Sequence, residues 1–143
     1  MALQNLKKIL VALDGSKKSF KGLDMAITLA RQFGSSIVGL CVIPVEPPIF
    51  MPGMSSSFKK KMTDEAKKFL DEAEKTSKEN SVTFKQQIIY GIPSEDVVSF
   101  ANKHGFDLII IGGRGHSLIR EVFLGSVAHS TVHKSKIPVL VIK

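Results

Sequence analysis

The most constraining feature of this sequence is the stretch from Asp107 to Ser126, DLIIIGGRGHSLIREVFLGS. Its apolar run, residues 108–111, is typical of a strand that is buried on both faces. A glycine-rich loop follows the run, and Gly125-Ser126 then leads into a helical pattern of apolar residues. Glycines let backbone N–H groups approach an anion closely, and a helix N-terminus offers unpaired donors at the positive end of its dipole. This order of elements therefore predicts a phosphate-binding site.

The glycine spacing in this stretch is neither of the two common nucleotide-binding fingerprints. Gly112-x-x-Gly115 is followed by nine residues and then Gly125-Ser126, whereas the dinucleotide motif is G-x-G-x-x-G and the P-loop requires a lysine. The spacing resembles the ATP-binding signature of the universal stress protein family, and all four of its positions match. Further stretches are similar to the family in the same order, namely residues 8–16 (KILVALDGS), 91–93 (GIP) and 138–142 (PVLVI). The resemblance therefore extends over essentially the whole chain.

Apolar runs and helical patterns alternate along the chain. Strands are predicted at residues 7–13, 37–43, 82–90, 108–111 and 137–142, with helices between Ser16 and Gly34, over 58–78, before Gly105 and after Gly125. Strand–helix–strand units at this spacing form parallel sheets with right-handed crossovers, so we expect an open, doubly wound α/β fold. Residues 1–143 are expected to form a single domain. The family resemblance implies a Rossmann-like sheet with the strand order 3-2-1-4-5.

The stretch from Pro44 to Ser57 interrupts this alternation. It contains four of the six prolines together with several large apolar residues, so we expect no regular structure there. A surface insertion, a lid over a ligand and a contact for a partner are all compatible with this composition.

The predicted fold places a ligand site at one position in the sheet. In open parallel sheets, ligands bind beyond the carboxyl ends of the strands, at the point where the strand order reverses. With the order 3-2-1-4-5 this crevice lies between the first and fourth strands, whose ends carry Asp14 and Gly112. The glycine loop and the expected topology therefore point to the same place.

Asp14 is the first candidate binding residue. Its carboxylate could cap the first helix, or it could accept hydrogen bonds from the hydroxyls or the exocyclic amine of adenosine. Its position matches the family's nucleoside-binding aspartate, which favours the second interpretation. The resemblance also implies that Ala12 and Val42 line the pocket for the base, although both residues fit an ordinary core equally well.

The glycine loop and the helix after it are expected to bind phosphates. The donors would be the backbone amides around Gly125, Ser126 and Val127 and the Ser126 hydroxyl. Arg114 adds a guanidinium that suits phosphate oxygens, and it could equally be an exposed surface arginine. The complete predicted nucleotide site consists of Ala12, Asp14, Val42, Ile111, Gly112, Arg114, Gly115, Gly125, Ser126 and Val127.

The ligand implied by the resemblance is ATP, whose phosphates commonly carry Mg²⁺ or Mn²⁺. No protein metal site is predicted, because the histidines lack the spacing of known metal motifs. No residue is recognisable as a base that activates water, and Glu121 is the only carboxylate in the loop, so we expect hydrolysis to be absent or very slow. We interpret the chain as a nucleotide-dependent switch in a stress response. A slow ATPase or nucleotidyl transferase and a nucleotide-independent interaction scaffold remain the alternatives.

Charge and composition limit the other partners. The net charge is +7, but the lysines are scattered in small groups among acidic residues, so we expect only weak binding to nucleic acid without sequence preference. No apolar run approaches the ~18 residues of a membrane-spanning helix, and no signal peptide precedes the first strand. The single cysteine, Cys41, lies in an apolar run and fits a core position in a reducing compartment. We therefore expect a cytoplasmic protein with no membrane partner.

The last strand predicts the oligomeric state. Residues 139–142 are apolar and would lie at an edge of the sheet, where unpaired backbone groups invite pairing with a second chain. Two copies related by a two-fold axis can pair this strand with itself. We expect a homodimer through the C-terminal strand, as the family resemblance also implies.

Overall fold

The computed structural model describes residues 5–45, 54–113 and 124–143. Within them, strands and helices alternate in the order β1 (Lys8–Ala12), α1 (Lys17–Phe33), β2 (Ser36–Pro44), α2 (Met54–Glu79), β3 (Phe84–Gly91), α3 (Pro93–Lys103), β4 (Leu108–Gly112), α4 (Ser126–Lys134) and β5 (Val139–Ile142). The strands form a parallel sheet in the order β3-β2-β1-β4-β5. This arrangement confirms the doubly wound fold and the strand order that the sequence led us to expect.

The sheet is covered by helices on both faces, as a parallel sheet requires. Along β1, Ile9 and Val11 pack toward α1 and α2, whereas Leu10 packs toward α3 and α4. All three side chains are completely buried. Burial on both faces explains why the central strands appear in the sequence as continuous apolar runs rather than as alternating patterns.

A carboxylate joins β1 and β4 at the start of the two strands. The side chain of Asp107 accepts hydrogen bonds from the backbone N–H groups of Lys7 and Lys8, each at 2.9 Å. The backbone N–H of Asp107 in turn donates to the carbonyl of Lys8 at 2.9 Å. These bonds help to fix how the two central strands lie beside each other, and so they position the crevice at the strands' other end.

The proline-rich stretch ends earlier than the sequence predicted. Helix α2 begins at Met54 rather than Phe58, so the last part of the stretch from Pro44 to Ser57 is helical and the expectation of no regular structure there was wrong. Pro52 is the last proline of the stretch, and beyond it every residue can donate a helical hydrogen bond. Residues 46–53 lie outside the described residues.

Strands β3 and β5 each begin two residues later than predicted because their first predicted amides are used elsewhere. Strand β3 begins at Phe84 rather than Val82, since the N–H of Val82 bonds to the carbonyl of Ser77 in α2. Strand β5 begins at Val139 rather than Ile137, whose N–H bonds to the hydroxyl of the serine two residues before it. Three large apolar residues of the helices, Phe33, Phe58 and Val132, are exposed.

The helices α1, α2 and α3 end with a residue in the left-handed conformation. In α2, the N–H of Val82 bonds back to the carbonyl of Ser77 and the N–H of Ser81 bonds to the carbonyl of Lys78, which is the Schellman pattern. Among the described residues, Ser81 is the only one other than glycine with a positive φ. The left-handed residues are Gly34 at φ 70°, Ser81 at φ 60° and Gly105 at φ 68°.

We predict that Ser81→Gly stabilises the protein. The left-handed conformation costs a residue with a Cβ about 1–2 kcal/mol, of which the greater entropy of glycine in the unfolded chain offsets roughly 0.5–1 kcal/mol. Urea denaturation should therefore show a free energy of unfolding that is higher by about 0.5–1 kcal/mol. As a control, Ser99→Gly in the exposed middle of α3 should lower it. If both variants are destabilised alike, the backbone at Ser81 is not strained.

Candidate functional site

A cavity of about 460 Å³ opens at the carboxyl ends of β1, β2 and β4, where the strand order reverses. Helix α2 and the N-termini of α3 and α4 complete its wall. Two predicted site residues, Arg114 and Gly115, lie outside the described residues, as does Glu121. The predicted site residues that line the cavity are Ala12, Asp14, Val42, Ile111, Gly112, Gly125, Ser126 and Val127.

Most of the described wall of this cavity is apolar. Ala12, Val42 and Ile111 come from three neighbouring strands, and Val97 from α3 and Phe69 from α2 also line the cavity. Small-molecule sites are typically lined in this way, with a few polar groups that fix the orientation of the ligand. An apolar wall of this kind suits the faces of a planar aromatic base.

The N-terminus of α4 supplies backbone donors to the cavity. Its N-cap residue, Gly125, has an extended backbone with φ −65° and ψ 165°, and no side chain of the described residues caps this end of the helix. The N–H of Gly125 donates to the carbonyl of Gly113, so this amide is engaged within the protein. The first N–H groups of a helix have no partner inside it. The amides of Ser126 and Val127, rather than that of Gly125, are therefore the donors suited to an anion.

Gly112 has a structural reason to be glycine that the sequence pattern did not reveal. A Cβ at this position would lie 3.0 Å from the Cβ of Lys18 and 3.1 Å from its carbonyl carbon, in the first turn of α1. A side chain here would push α1 away from the end of β4. The close packing of the strand end against the helix is thus sufficient to require a glycine, whatever the loop binds.

Asp14 has the turn role that the sequence left open, and it also lies where its predicted role in binding would require it. One of its carboxylate oxygens accepts a hydrogen bond from the backbone N–H of Ser16 at 2.9 Å, which is the bond of a turn or capping carboxylate. Ser16 is itself the N-cap of α1, and its hydroxyl accepts from the N–H of Ser19 at 3.1 Å. The Asp14 side chain is exposed and also lines the cavity. The turn therefore holds the carboxylate at the cavity wall.

Helix α2 contributes cavity residues that the sequence analysis missed. Met62, Glu65 and Phe69 line the cavity from one face of this helix, because residues three and four apart lie above one another. The available signal was the spacing of Met62 and Phe69 on the apolar face of the predicted helix. Glu65 lies beside this face, is exposed and has Lys61 and Lys68 within one turn of it, so nothing in the pattern distinguishes it from an ordinary solvated glutamate.

Cys41 lies in the wall of the cavity as a buried thiol. Burial, together with a smaller contribution from the nearby negative charge of Asp14, raises the pKa of Cys41 from its ordinary value of 9.0 to about 12. The thiol therefore stays protonated at neutral pH. It contributes to the cavity as a small, weakly polar group rather than as a nucleophile.

Comparison with known proteins decides the family. The sequence profile described as the universal stress protein family matches residues 5–143. The chain belongs to this family. This finding confirms the resemblance that the glycine spacing and the other matching stretches indicated.

Individual members of the universal stress protein family resemble the chain along nearly its full length. Universal stress protein MJ0531 of Methanocaldococcus jannaschii is 30% identical over 139 residues, which make up 96% of this chain and 82% of that protein. The structure of protein MJ0577 from the same organism has a TM-score of 0.88 at 33% identity and covers 96% of both chains. A universal stress protein of Archaeoglobus fulgidus in complex with dAMP has a TM-score of 0.73 at 24% identity and covers 96% of this chain and 98% of that one. This last likeness shows a shared fold.

Residues 5–45, 54–113 and 124–143 contain neither a metal-binding cluster nor a membrane-spanning helix. These residues include no group of three or more His, Cys, Asp or Glu side chains that could hold a metal ion. His129 and His133 lie with their rings 4.4 Å apart on α4, but this part of the chain offers them no third ligand. None of the described helices is long and apolar enough to cross a membrane.

We predict that the Cys41 thiol of the folded protein reacts very slowly with a thiol-specific reagent at neutral pH. The thiolate is the reactive species, and raising the pKa from 9.0 to about 12 lowers its fraction roughly a thousandfold. Labelling should become fast in denaturant. Asp14→Asn should accelerate labelling of the folded protein, because it removes a charge that raises the thiol pKa, whereas Asp24→Asn on α1 should not. Equal labelling rates with and without denaturant would contradict the burial of this thiol.

Proposed function

We propose that this chain binds ATP in the cavity between β1 and β4. The base lies against the apolar wall formed by Ala12, Val42 and Ile111, and the phosphates lie at the N-terminus of α4. The observation that carries the proposal is that one cavity, at the reversal of strand order, joins an apolar wall to a helix N-terminus that none of the described side chains caps. An amphiphilic ligand with a flat base and a phosphate tail matches both parts of this cavity.

A structure that shares the fold supports this choice of ligand class. The universal stress protein of Archaeoglobus fulgidus was solved in complex with dAMP, an adenine nucleotide. The family resemblance of the glycine spacing further favours ATP for this chain. Arg114 and Gly115 would take part through the loop between β4 and α4, where Gly115 lets the backbone approach the phosphates.

Mg²⁺ or Mn²⁺ would accompany ATP through its phosphates rather than through a protein site. The donor set favours this arrangement, because the residues at the start of α4 that line the cavity, 125–128, offer one side-chain oxygen, the Ser126 hydroxyl. Mg²⁺ retains several waters and commonly binds proteins through substrate phosphates. The metal would neutralise part of the phosphate charge, and the amides of α4 would hold the remaining oxygens.

The occupied and empty forms would act as the two states of a switch in a stress response, in a single domain located in the cytoplasm. The nucleotide that accompanies the purified protein tests this proposal against its alternatives. Denaturation followed by chromatography should release intact ATP if the protein is a switch. ADP or AMP would instead favour a slow ATPase or a transferase, with Glu121 as the first residue to examine. Release of no nucleotide, together with no binding of added ATP, would favour an interaction scaffold.

We predict that Ser126→Pro weakens ATP binding about ten- to hundredfold, as expected for the loss of a hydrogen bond to a charged group worth roughly 1.5–3 kcal/mol. Proline removes the N–H but is well tolerated at the first position of a helix. The extended backbone of Gly125 is also suited to the position before a proline. Ser126→Ala keeps the amide and should have the smaller effect in calorimetry. An unchanged ATP affinity in a Ser126→Pro variant that melts like wild type would contradict binding at this helix.

We also propose a homodimer that pairs β5 of one copy with β5 of the other. Strand β5 lies at an edge of the sheet, and all four of its residues are half-buried. The register between β4 and β5 determines which backbone groups of β5 a second copy can reach. The N–H of Ile109 bonds to the carbonyl of Pro138, and the N–H of Gly113 bonds to the carbonyl of Ile142. In a parallel ladder such bonds alternate, so the amide of Leu140 faces β4, and the amides of Val139 and Val141 face outward.

Val141→Pro is therefore the change that we expect to disrupt the dimer while leaving the sheet intact. Proline is tolerated in an edge strand where the lost N–H faces outward. A two-fold dimer would lose two hydrogen bonds worth about 1 kcal/mol each, which corresponds to roughly thirtyfold weaker association. Val141→Thr retains the N–H and serves as the control. Light scattering that finds the wild type monomeric at tens of micromolar (about the range expected for a modest interface) would contradict the dimer.

A further inference from the structure

The charged side chains in the described wall of the cavity are both carboxylates. They belong to Asp14, which follows β1, and to Glu65, in the middle of α2, whereas the lining contains no lysine or arginine among the described residues. This is notable in a chain with a net charge of +7 and many lysines on the same helix. A wall that bound phosphates along its whole length would be expected to carry positive charges, whereas the described wall carries negative ones.

The two carboxylates belong to the same part of the cavity. Residue 15 follows Asp14, and a Cβ placed on Gly15 would lie 2.9 Å from Cδ2 of the Phe69 ring. Phe69 is one helical turn from Glu65, and residues four apart on a helix lie on one face, about 6 Å apart along its axis. The packing of Phe69 on Gly15 therefore places α2 against the turn that follows Asp14, with Glu65 one helical turn from this contact.

Glu65 lies at the boundary between the cavity face and the solvent face of α2. Its side chain is exposed and lines the cavity, and Lys61 and Lys68 lie within one turn of it. Among the described residues it makes no hydrogen bond or ion pair. Its neighbours toward the cavity, Met62 and Phe69, are apolar and partly buried. The carboxylate is therefore accessible to a ligand in the cavity.

A carboxylate is an acceptor, and it therefore selects for a ligand group that donates hydrogen bonds. Within a nucleotide, the adjacent 2′- and 3′-hydroxyls of ribose are a pair of donors that two carboxylates can share. A phosphate or a missing hydroxyl at either position removes a donor, and a phosphate adds charge repulsion as well. The phosphate tail is better placed at α4, where the wall carries backbone N–H groups.

We propose that Glu65, together with Asp14, binds the 2′,3′-diol of the ribose and thereby selects ribonucleotides over 2′-deoxynucleotides and over nucleotides phosphorylated at either hydroxyl. This inference rests on the proposed binding of ATP and adds to it a specificity residue on α2. Glu65 acts here as a direct contact to the ligand, and its contribution is greatest for ligands that carry both hydroxyls.

The test compares ATP with 2′-dATP by calorimetry in the wild type and in Glu65→Gln. The wild type should bind ATP about tenfold more tightly than 2′-dATP, and Glu65→Gln should weaken ATP binding about tenfold with little effect on 2′-dATP. The sign of the change is informative. A carboxylate that only repels the phosphates would give tighter binding of both nucleotides after its charge is removed.

Asp64→Asn is the matched control, because it removes the same charge from the neighbouring position on α2, which does not line the cavity. It should leave the ratio of the two affinities unchanged. Equal binding of ATP and 2′-dATP by the wild type would overturn this inference and leave the proposed function standing. Equal weakening of both nucleotides in a folded Glu65→Gln variant would also overturn it and would assign Glu65 to the base. Failure of the wild type to bind either nucleotide would overturn the proposed function and this inference with it.

Discussion

The pairing of β1 with β4 is the constraint on which the rest of the molecule depends. The chain crosses from one half of the sheet to the other at this pair, so the connections leave the sheet in opposite directions and open a crevice above it. At one end of the pair, the Asp107 carboxylate bonds to two amides at the start of β1. At the other end, Gly112 lets the first turn of α1 pack so closely on the strand that a Cβ at this position would lie 3.0 Å from the Cβ of Lys18. The cavity has its shape because both ends of this pair are fixed.

The sequence was sufficient to predict the features that depend on local chemistry. Buried parallel strands require apolar side chains on both faces, and such runs are easily recognised between glycine-rich turns. The position of the site followed from strand order, which the family resemblance supplied and the structure confirmed. Asp14 and Gly112 could be assigned to the same edge of the sheet because Asp14 follows the first predicted strand and Gly112 lies at the end of the fourth. The expected strand order placed these two strands side by side. Their roles in binding stay predictions.

The features that the sequence did not predict all depend on how separate elements meet. To predict that Glu65 and Phe69 line the cavity, one would need to know that α2 packs against the turn after β1. Helical periodicity shows which residues share a face of the helix, but not which element that face contacts. The engagement of the Gly125 amide by the carbonyl of Gly113 depends on the close approach of a loop end to β4. Likewise, an apolar edge strand indicates a possible interface, but only its register shows that the amide of Val141, and not that of Leu140, faces outward.

The net charge of +7 and the charge of the cavity wall act on an anionic ligand over different distances. At physiological ionic strength the field of surface lysines is screened beyond about 8 Å, so it attracts an anion to the molecule without choosing where it binds. Inside the cavity, screening is weaker, and the described wall offers carboxylates beside β1 and α2 and amide donors at α4. A nucleotide placed with its phosphates toward Asp14 would meet repulsion there and leave the amides of α4 without a partner. The reverse orientation satisfies both parts of the wall, so the direction in which a nucleotide lies follows from the arrangement of a few groups and not from the charge of the whole chain.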